Sequence, residues 1–262
     1  MRALILSLAA LAFGLLAPGA VDAAGFGVEG TGFVVTQPGG RTLTSLDLKG
    51  AVFEMADGEG GTMRVRIDAV APAEERPGVL LHSFSIADPT TGTWTPMCEP
   101  DAYGRSAGFP VRGHWDGRSF VADPDTWFLA CSSGSNGKCI LWGYDPWGHG
   151  PDGQPLTDYY RACQQMVRAD YEGNDQPHTK NGTTIDTADI AGIQVHETLT
   201  NPRFAFEAGW GVNGAVCVAR TRWPELMTRE ALLAEAPQLG GPCDEATART
   251  KGALLFTRVE VR

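Results

Sequence analysis

The chain has 262 residues, a formal net charge of −10, and 33 glycines and 17 prolines spread along its length. This length is enough for one large domain or two small ones. The excess of acidic residues disfavours nucleic acid and anionic membrane surfaces as partners. The glycines and prolines indicate many turns, without a low-complexity segment.

The N-terminus has the pattern of a secretory signal peptide. Arg2 gives it a positive start, Leu4–Leu16 is almost wholly apolar, and Val21-Asp22-Ala23 places small residues at a cleavage site. The apolar run is shorter than the roughly 20 residues that cross a bilayer, and no later segment reaches that length. We therefore expect a signal peptide over residues 1–23, cleaved near Ala23, and a periplasmic or secreted mature protein with no transmembrane segment.

Six cysteines in an exported chain indicate disulfide bonds. The Gly/Ser-rich turn between Cys131 and Cys139 would let two neighbouring strands meet, so these two cysteines are predicted to pair. Only this pairing rests on local geometry. The full expected set is Cys131–Cys139, Cys217–Cys243 and Cys98–Cys163. No Cys-x-x-Cys motif is present, which disfavours a cysteine zinc site.

Residues 24–125 have the pattern of short strands. Thr62–Asp68 alternates apolar and polar residues, which predicts a half-buried strand with Val65 and Ile67 on one face. A further strand is predicted over Val79–Ile86. Short strands at close spacing with Gly and Pro between them favour a sandwich or a barrel-like sheet.

Residues 126–262, the second predicted part, add helices to the strands. Trp127–Cys131 and Cys139–Tyr144 are predicted to be paired strands, and Phe204–Ala208 and Ala215–Arg220 a hairpin. No linker separates this part from the N-terminal part, so we expect both to pack as one continuous unit. The predicted fold class is β-rich α+β, mostly antiparallel, with disulfides.

Two helices are predicted, one near 158–171 and one near 229–236. Thr228 is expected to cap the second helix. Gln164 and Gln165 are expected on the solvent side of the first helix. Its buried face is predicted to carry Tyr159, Cys163, Met166 and Asp170.

The most specific pattern begins in the first helix. It contains Arg168-Ala-Asp170-Tyr171, followed by Gly173, His178-Thr179, Gly182-Thr183, Ile185-Asp186 and Asp189. With Cys163-Gln-Gln-Met166 before it, Cys139–Trp147 upstream and Phe206–Trp210 downstream, this segment resembles the ADYC domain family of exported bacterial proteins. The resemblance implies an exported protein without implying a reaction. The motif residues are Arg168, Asp170, Tyr171, His178, Thr179, Asp186 and Asp189.

The chain departs from this family at one position. The motif that names the family ends in cysteine, where this chain has Glu172. If the family's cysteine is disulfide-bonded, its partner should be missing here too, which agrees with an even count of six cysteines. If the cysteine were a nucleophile, this chain would have lost it. The departure therefore argues against a cysteine-based mechanism.

Asp170 and His178 are the candidate catalytic residues. A carboxylate on the apolar face of a helix is costly unless it is paired. Asp170 is therefore either a general base or metal ligand beside His178, or a buried acceptor for Arg168, Tyr171 or loop amides. A loop histidine suits proton transfer, or it acts as a hydrogen-bonding strut.

Carboxylates and amides in this region also allow a metal hypothesis. Asp170, Asp186 and Asp189, with Asn174 and Asp175, could supply oxygen ligands to calcium. No EF-hand spacing supports such a site. We expect no cofactor, with calcium as the alternative.

Three tryptophans next to glycines invite a glycan-binding hypothesis. Trp142, Trp147 and Trp210 have the flanking residues expected of partly exposed rings, which could stack on sugars. Packing in the core is the default interpretation for such residues.

No standard catalytic motif is present, whether of serine hydrolases, zinc proteases, P-loop proteins or dinucleotide-binding proteins. We therefore expect a non-catalytic extracytoplasmic binding or envelope-associated module, with an envelope glycan or a protein as its partner. In that case the motif residues would hold loops in place. The alternative is a hydrolase-like enzyme that uses an Asp/His cluster, with or without a metal ion.

Overall fold

The computed structural model describes residues 25–58, 60–117 and 119–261, so the predicted signal peptide at 1–23 lies outside the described residues. Within them the chain forms four antiparallel sheets, four α-helices and two short 3-10 segments. The predicted β-rich α+β class is confirmed. None of the sheets in the described residues closes into a barrel.

The strands are, in chain order, β1 (Gly25–Glu29), β2 (Gly32–Thr36), β3 (Thr42–Thr44), β4 (Val52–Ala56), β5 (Thr62–Pro72), β6 (Leu80–Ala87), β7 (Trp94–Pro96), β8 (Gly108–Arg112), β9 (His114–Asp116), β10 (Ser119–Val121), β11 (Trp127–Cys131), β12 (Ile185–Asp189), β13 (Phe204–Gly211), β14 (Gly214–Val218) and β15 (Leu255–Glu260). The helices are α1 (Ser135–Leu141), α2 (Thr157–Arg168), α3 (Arg229–Glu235) and α4 (Glu245–Thr250). The 3-10 segments are Ser45–Asp47 and Pro237–Leu239.

The largest sheet has the strand order β11-β8-β6-β5-β4, and β7 also pairs with β6. Val65 and Ile67 of β5 are buried, as their alternation predicted. They share an apolar cluster with Phe84 of β6 and Phe33 of β2. The small sheet β1-β2-β3 therefore packs on one face of the large sheet.

The second large sheet has the order β12-β15-β13-β14 and includes the predicted hairpin of β13 and β14. Gly214, at the start of β14, has a φ of 111°. A Cβ atom there would lie 2.7 Å from the backbone nitrogen of Gly173 and from the carbonyl oxygen of Tyr171. Glycine is required because the hairpin touches the backbone of the motif segment.

Helix α2 packs on this second sheet and ends earlier than predicted. Ala169 has a φ of 50°, and this left-handed residue closes the helix at Arg168. Asp170 therefore follows the helix instead of lying on its apolar face. Gln164 and Gln165 were wrongly expected on the solvent side; they are only 5% and 7% exposed. They are buried because α1 and the hairpin of β9 and β10 pack against α2.

The predicted helix near 229–236 is confirmed as α3, and the hydroxyl of Thr228 accepts the N–H of Ala231 at 3.1 Å. Helices α1 and α4 were not predicted. Cys139–Tyr144 was expected to be a strand, which is wrong. The Gly/Ser-rich segment before it begins helix α1 instead of forming a hairpin turn.

This difference changes the disulfide pattern. The three bonds are Cys98–Cys131, Cys139–Cys163 and Cys217–Cys243, and no cysteine of the described residues is free. The third bond is confirmed, whereas the predicted Cys131–Cys139 and Cys98–Cys163 bonds are wrong. Because Cys139 lies on α1 and not on a strand beside β11, it pairs with Cys163 of α2.

Strand β11, which follows the expected boundary at residue 125, pairs with β8 of the N-terminal part. The division into residues 24–125 and 126–262 stays a prediction. None of the helices in the described ranges is long and apolar enough to span a bilayer.

Candidate functional site

Asp170 closes the turn that follows α2. Its carboxylate is buried, and each oxygen accepts one backbone N–H, from Asn174 at 3.0 Å and from Asp175 at 2.8 Å. Such bonds satisfy a buried carboxylate and order the loop at the same time. The geometry matches the hypothesis of an acceptor for loop amides.

Asp189, at the end of β12, holds the next loop in the same way. Its carboxylate accepts the N–H groups of Ile193 at 3.1 Å and Gln194 at 2.7 Å. The hydroxyl of Tyr144 donates a third bond at 2.7 Å. Burial, together with the charge of Asp189, raises the pKa of Tyr144 far above its ordinary value, so Tyr144 stays a donor.

Asp186, at the other end of β12, accepts the N–H groups of Glu197 and Thr198, each at 3.0 Å. Burial alone would raise the pKa of Asp186, but these bonds and that of the Thr198 hydroxyl outweigh it and hold the pKa below its ordinary value. His196 lies beside it, with 3.2 Å between its Nδ1 and the carboxylate. Asp186 thus anchors a third loop.

The three carboxylates bind different loops and share no partner. No group of three or more His, Cys, Asp or Glu residues is placed to hold a metal ion within the described ranges. The donors around Asp170, Asp186 and Asp189 are N–H and O–H groups of the protein, so these residues do not fit a calcium site.

His178 and Asp170 do not form the expected acid–base pair. The ring of His178 stacks on the ring of Tyr171, with 6.0 Å between the centroids. Its backbone N–H donates to the carbonyl of Arg168 at 3.0 Å. No hydrogen bond or ion pair joins His178 to Asp170 among the described residues.

Tyr171 belongs to a buried network with Glu207 of β13 and Arg222. The Tyr171 hydroxyl donates to Oε1 of Glu207 at 2.8 Å and accepts the N–H of Arg222 at 2.7 Å. The Arg222 guanidinium donates to both oxygens of Glu207, at 3.1 and 3.0 Å, and both side chains are at most 1% exposed. Burial and the Glu207 charge raise the pKa of Tyr171 well above its ordinary value.

Arg222 also completes the end of α2. It donates to the carbonyl oxygens of Met166 at 2.8 Å and Val167 at 3.1 Å, and to the Thr179 hydroxyl at 3.3 Å. The last carbonyls of a helix have no partner within it, so a side-chain donor stabilises them. We call Tyr171, Thr179, Glu207 and Arg222 the buried network.

Sequence reasoning missed Glu207 and Arg222 as members of this network. A signal was present, because Glu207 is a charged residue between apolar residues of a predicted strand, and such a charge needs a partner. The identity of that partner depends on the fold.

A small cleft lies where α1, α2 and the turn between β9 and β10 meet. Its volume is about 200 Å³. We call it the polar cleft, and its lining residues are Trp115, Gly117, Ser135, Asn136, Gln164, Gln165, Arg168, Asp170 and Asp175. It includes Gln164, Gln165, Arg168 and Asp170 from the segment that carries the family pattern.

The two glutamines distinguish the polar cleft from the buried network. The Gln165 amide has no hydrogen-bond partner among the described residues, and although the residue is only 7% exposed, its amide atoms are open to solvent in the cleft. Gln164 donates one long bond of 3.3 Å to the Ser135 carbonyl. Buried polar groups are normally paired. The sequence prediction placed both glutamines on the solvent side of α2 and therefore missed their burial. Apolar residues on most sides of α2 were the sequence signal that could have shown it.

The charged groups of the polar cleft are already paired. Arg168 contacts the Asp175 carboxylate at 2.6 Å and donates to the Asp175 carbonyl at 3.0 Å. Asp170 is held by the loop amides described above. The described lining residues therefore present unused amide groups and no unpaired charge.

The three tryptophans considered for glycan binding lie outside the polar cleft. Trp210 is fully buried, and its indole N–H donates to the Thr257 hydroxyl at 2.8 Å. Trp142 and Trp147 are partly buried and pack against the main core. Trp115 lines the polar cleft instead, and its buried indole N–H has no acceptor in the described part of the chain.

These features define a disulfide-linked, β-rich domain in which buried carboxylates hold loops around a small polar cleft. The model of the ADYC domain family matches residues 45–224, and the chain belongs to this family. No curated protein and no solved structure matches the chain.

The matched residues include the whole lining of the polar cleft and all four members of the buried network. Glu172, at the position where the resemblance implies a cysteine, receives a bond from the Asn174 side chain at 3.2 Å. Because all six cysteines are paired, the replacement leaves no cysteine without a partner.

Proposed function

We propose that this chain is an exported, non-catalytic binding module of the cell envelope or its surroundings, and that its ligand binds in the polar cleft. Three disulfide bonds support an oxidising compartment, and the N-terminal pattern of Arg2 and Leu4–Leu16 supports export. The motif carboxylates support binding over catalysis because they already serve loop amides.

One observation carries the proposal. Gln165 is buried, lines the polar cleft and keeps an unused amide donor and acceptor. The Gln165 amide is not among the side-chain atoms that are sealed from solvent without a partner, so it faces the open cleft. A ligand that bonds to this amide would replace solvent there, and each such hydrogen bond contributes about 0.5–1.5 kcal/mol net.

The walls of the polar cleft are held in place without a ligand. The Cys139–Cys163 bond joins α1 to α2. The Tyr160 hydroxyl donates to the Asn136 side chain at 3.0 Å across the same contact. A rigid site lowers the entropic cost of binding.

The test is a titration of the purified protein, followed through the side-chain amide signals of Gln164 and Gln165 in ¹H–¹⁵N spectra. The compounds are neutral sugars, sugar acids, amino acids, dipeptides and inorganic phosphate. At least one class should shift the glutamine signals, and mass spectrometry should recover every compound unchanged. If no class shifts these signals, the proposal is wrong. Conversion of a compound that Asp170→Asn abolishes would favour the hydrolase hypothesis.

A further inference from the structure

We infer that the ligand of the polar cleft is a neutral, hydroxyl-rich ring of the size of one sugar unit. This inference rests on the proposed function, because it requires the polar cleft to be a binding site. Size, charge and hydrogen-bonding capacity lead to it independently.

The size of the polar cleft limits the size of its ligand. The polar cleft has a volume of about 200 Å³, whereas sites for drug-sized ligands enclose about 300–1,000 Å³. A single six-membered ring with its substituents suits the smaller volume. A folded peptide or an extended chain would have to leave most of its atoms outside.

The charges of the lining residues also restrict the ligand. Arg168 and Asp175 neutralise each other, and Asp170 adds a negative charge whose oxygens are held by backbone amides. An anionic ligand would meet net negative charge and no free cation among the described lining residues. A cationic ligand would find no carboxylate without a partner among the lining residues that the structure describes. A neutral ligand is therefore favoured.

The unused amide groups of the lining indicate which hydrogen-bonding groups the ligand carries. The Gln165 amide offers a donor and an acceptor side by side. The oxygen of the Asn136 amide accepts from Tyr160, whereas its NH₂ group has no partner among the described residues. A hydroxyl group also donates and accepts, so vicinal hydroxyls match planar amides. A site that forms hydrogen bonds with the hydroxyls of its ligand binds analogues without these hydroxyls more weakly.

Trp115 supplies an aromatic wall for this ring. Its indole packs against Phe120 and Tyr160, with 5.5 and 6.1 Å between ring centroids. An aromatic face that is fixed in this way can pack against the C–H face of a sugar. Glycan binding is thus still proposed, but with Trp115 as the aromatic contact instead of the three tryptophans first considered.

The experiment compares ligands that differ in one property. The probes are methyl glucoside and N-acetylglucosamine (neutral), glucuronate (anionic), glucosamine (cationic) and cyclohexanol (no hydroxyl pair), each titrated while the Gln165 and Trp115 side-chain signals are followed. We expect a Kd on the order of 1 mM for a neutral sugar and at least tenfold weaker binding of the other three probes. A hexamer of N-acetylglucosamine is titrated in the same way. Comparing its affinity with that of the single sugar shows whether the site binds a free sugar or the end of a glycan chain.

Gln165→Leu should weaken the binding of the neutral sugar at least tenfold without lowering Tm. The matched control is Gln238→Leu, because Gln238 is exposed and is not one of the lining residues; it should leave affinity unchanged. If Gln165→Leu does not fold, Gln165→Glu keeps the shape of the side chain and should give the same loss of binding.

The outcomes separate the two proposals. If a charged probe or cyclohexanol binds as tightly as the neutral sugars, the sugar inference is wrong. The same holds if only amino acids, dipeptides or phosphate bind, although the polar cleft then remains a binding site. If no compound shifts the Gln165 signals, both proposals are wrong.

Discussion

The polar cleft and the buried network meet at the same end of α2, but they differ in whether their polar groups have hydrogen-bond partners. Every polar group of Glu207 and Arg222 that could bind has a partner, and both side chains are sealed from solvent. Gln165 is nearly as buried as these two residues, but its amide has no hydrogen-bond partner among the described residues. Burial alone therefore does not identify a functional residue. Unused hydrogen-bonding capacity that a ligand can reach is the more informative feature.

The largest expected effect concerns the buried network. Arg222→Met would leave the Glu207 carboxylate buried without a countercharge, so the free energy of unfolding should fall by about 3–5 kcal/mol in urea denaturation. Glu207→Gln combined with Arg222→Met should recover part of the loss. Arg249→Met, which breaks a more exposed pair with Glu245, should cost less than about 1 kcal/mol. Equal losses in the two single variants would contradict the structural role of the network.

The disulfide bonds test whether the polar cleft depends on its walls. Replacing Cys139 and Cys163 by alanine should lower the free energy of unfolding by about 2–4 kcal/mol and weaken binding, because α1 and α2 would no longer be linked. The matched variant replaces Cys217 and Cys243, a bond outside the polar cleft. It should lose similar stability and keep its affinity. Unchanged affinity in both variants would show that the polar cleft does not need the α1–α2 link.

His82 provides a buried polar group outside both regions. Burial lowers its pKa from 6.5 to about 4, outweighing backbone hydrogen bonds that act the other way. As pH falls from about 6.5 to 4, the unfolded chain gains a proton that the folded chain does not. Stability should therefore decrease over this window, by up to about 3 kcal/mol.

The measurement is urea denaturation at pH 7 and pH 4.5. His82→Gln should lose most of this histidine's contribution to the pH dependence, whereas His114→Gln, at a partly exposed site, should retain it. An identical pH dependence in wild type and His82→Gln would contradict the assignment.

The smallest expected effect separates loop architecture from catalysis. Asp170→Asn should cost about 1–2 kcal/mol, because one carboxylate oxygen that accepts a loop N–H becomes an NH₂ group. Asp175→Asn is the matched control: Asp175 is exposed and has a φ of 73°, which asparagine also tolerates. Its cost should be below about 1 kcal/mol, by the same urea titration. A stability change at Asp170 no larger than at Asp175 would count against the architectural role.

Sequence reasoning reached the fold class, the family, two helices, the β13–β14 hairpin and the Cys217–Cys243 bond. Local patterns carry this information, because alternation in Thr62–Asp68 and a capping Thr228 act over a few residues. It failed at Cys131–Cys139, where a Gly/Ser-rich segment was compatible with both a hairpin turn and the start of a helix. Contact between α1 and α2 decided between them.

The sequence by itself determined that this chain is a β-rich, disulfide-containing ADYC protein, and it singled out the motif carboxylates while leaving their role open. Only the tertiary structure decided which polar groups find partners. Arg222 lies 15 residues from Glu207 and 51 from Tyr171 along the chain, and the walls of the polar cleft come from three separate segments. The residue type sets how many hydrogen bonds a side chain can form. Whether that capacity is used depends on distances that only folding sets.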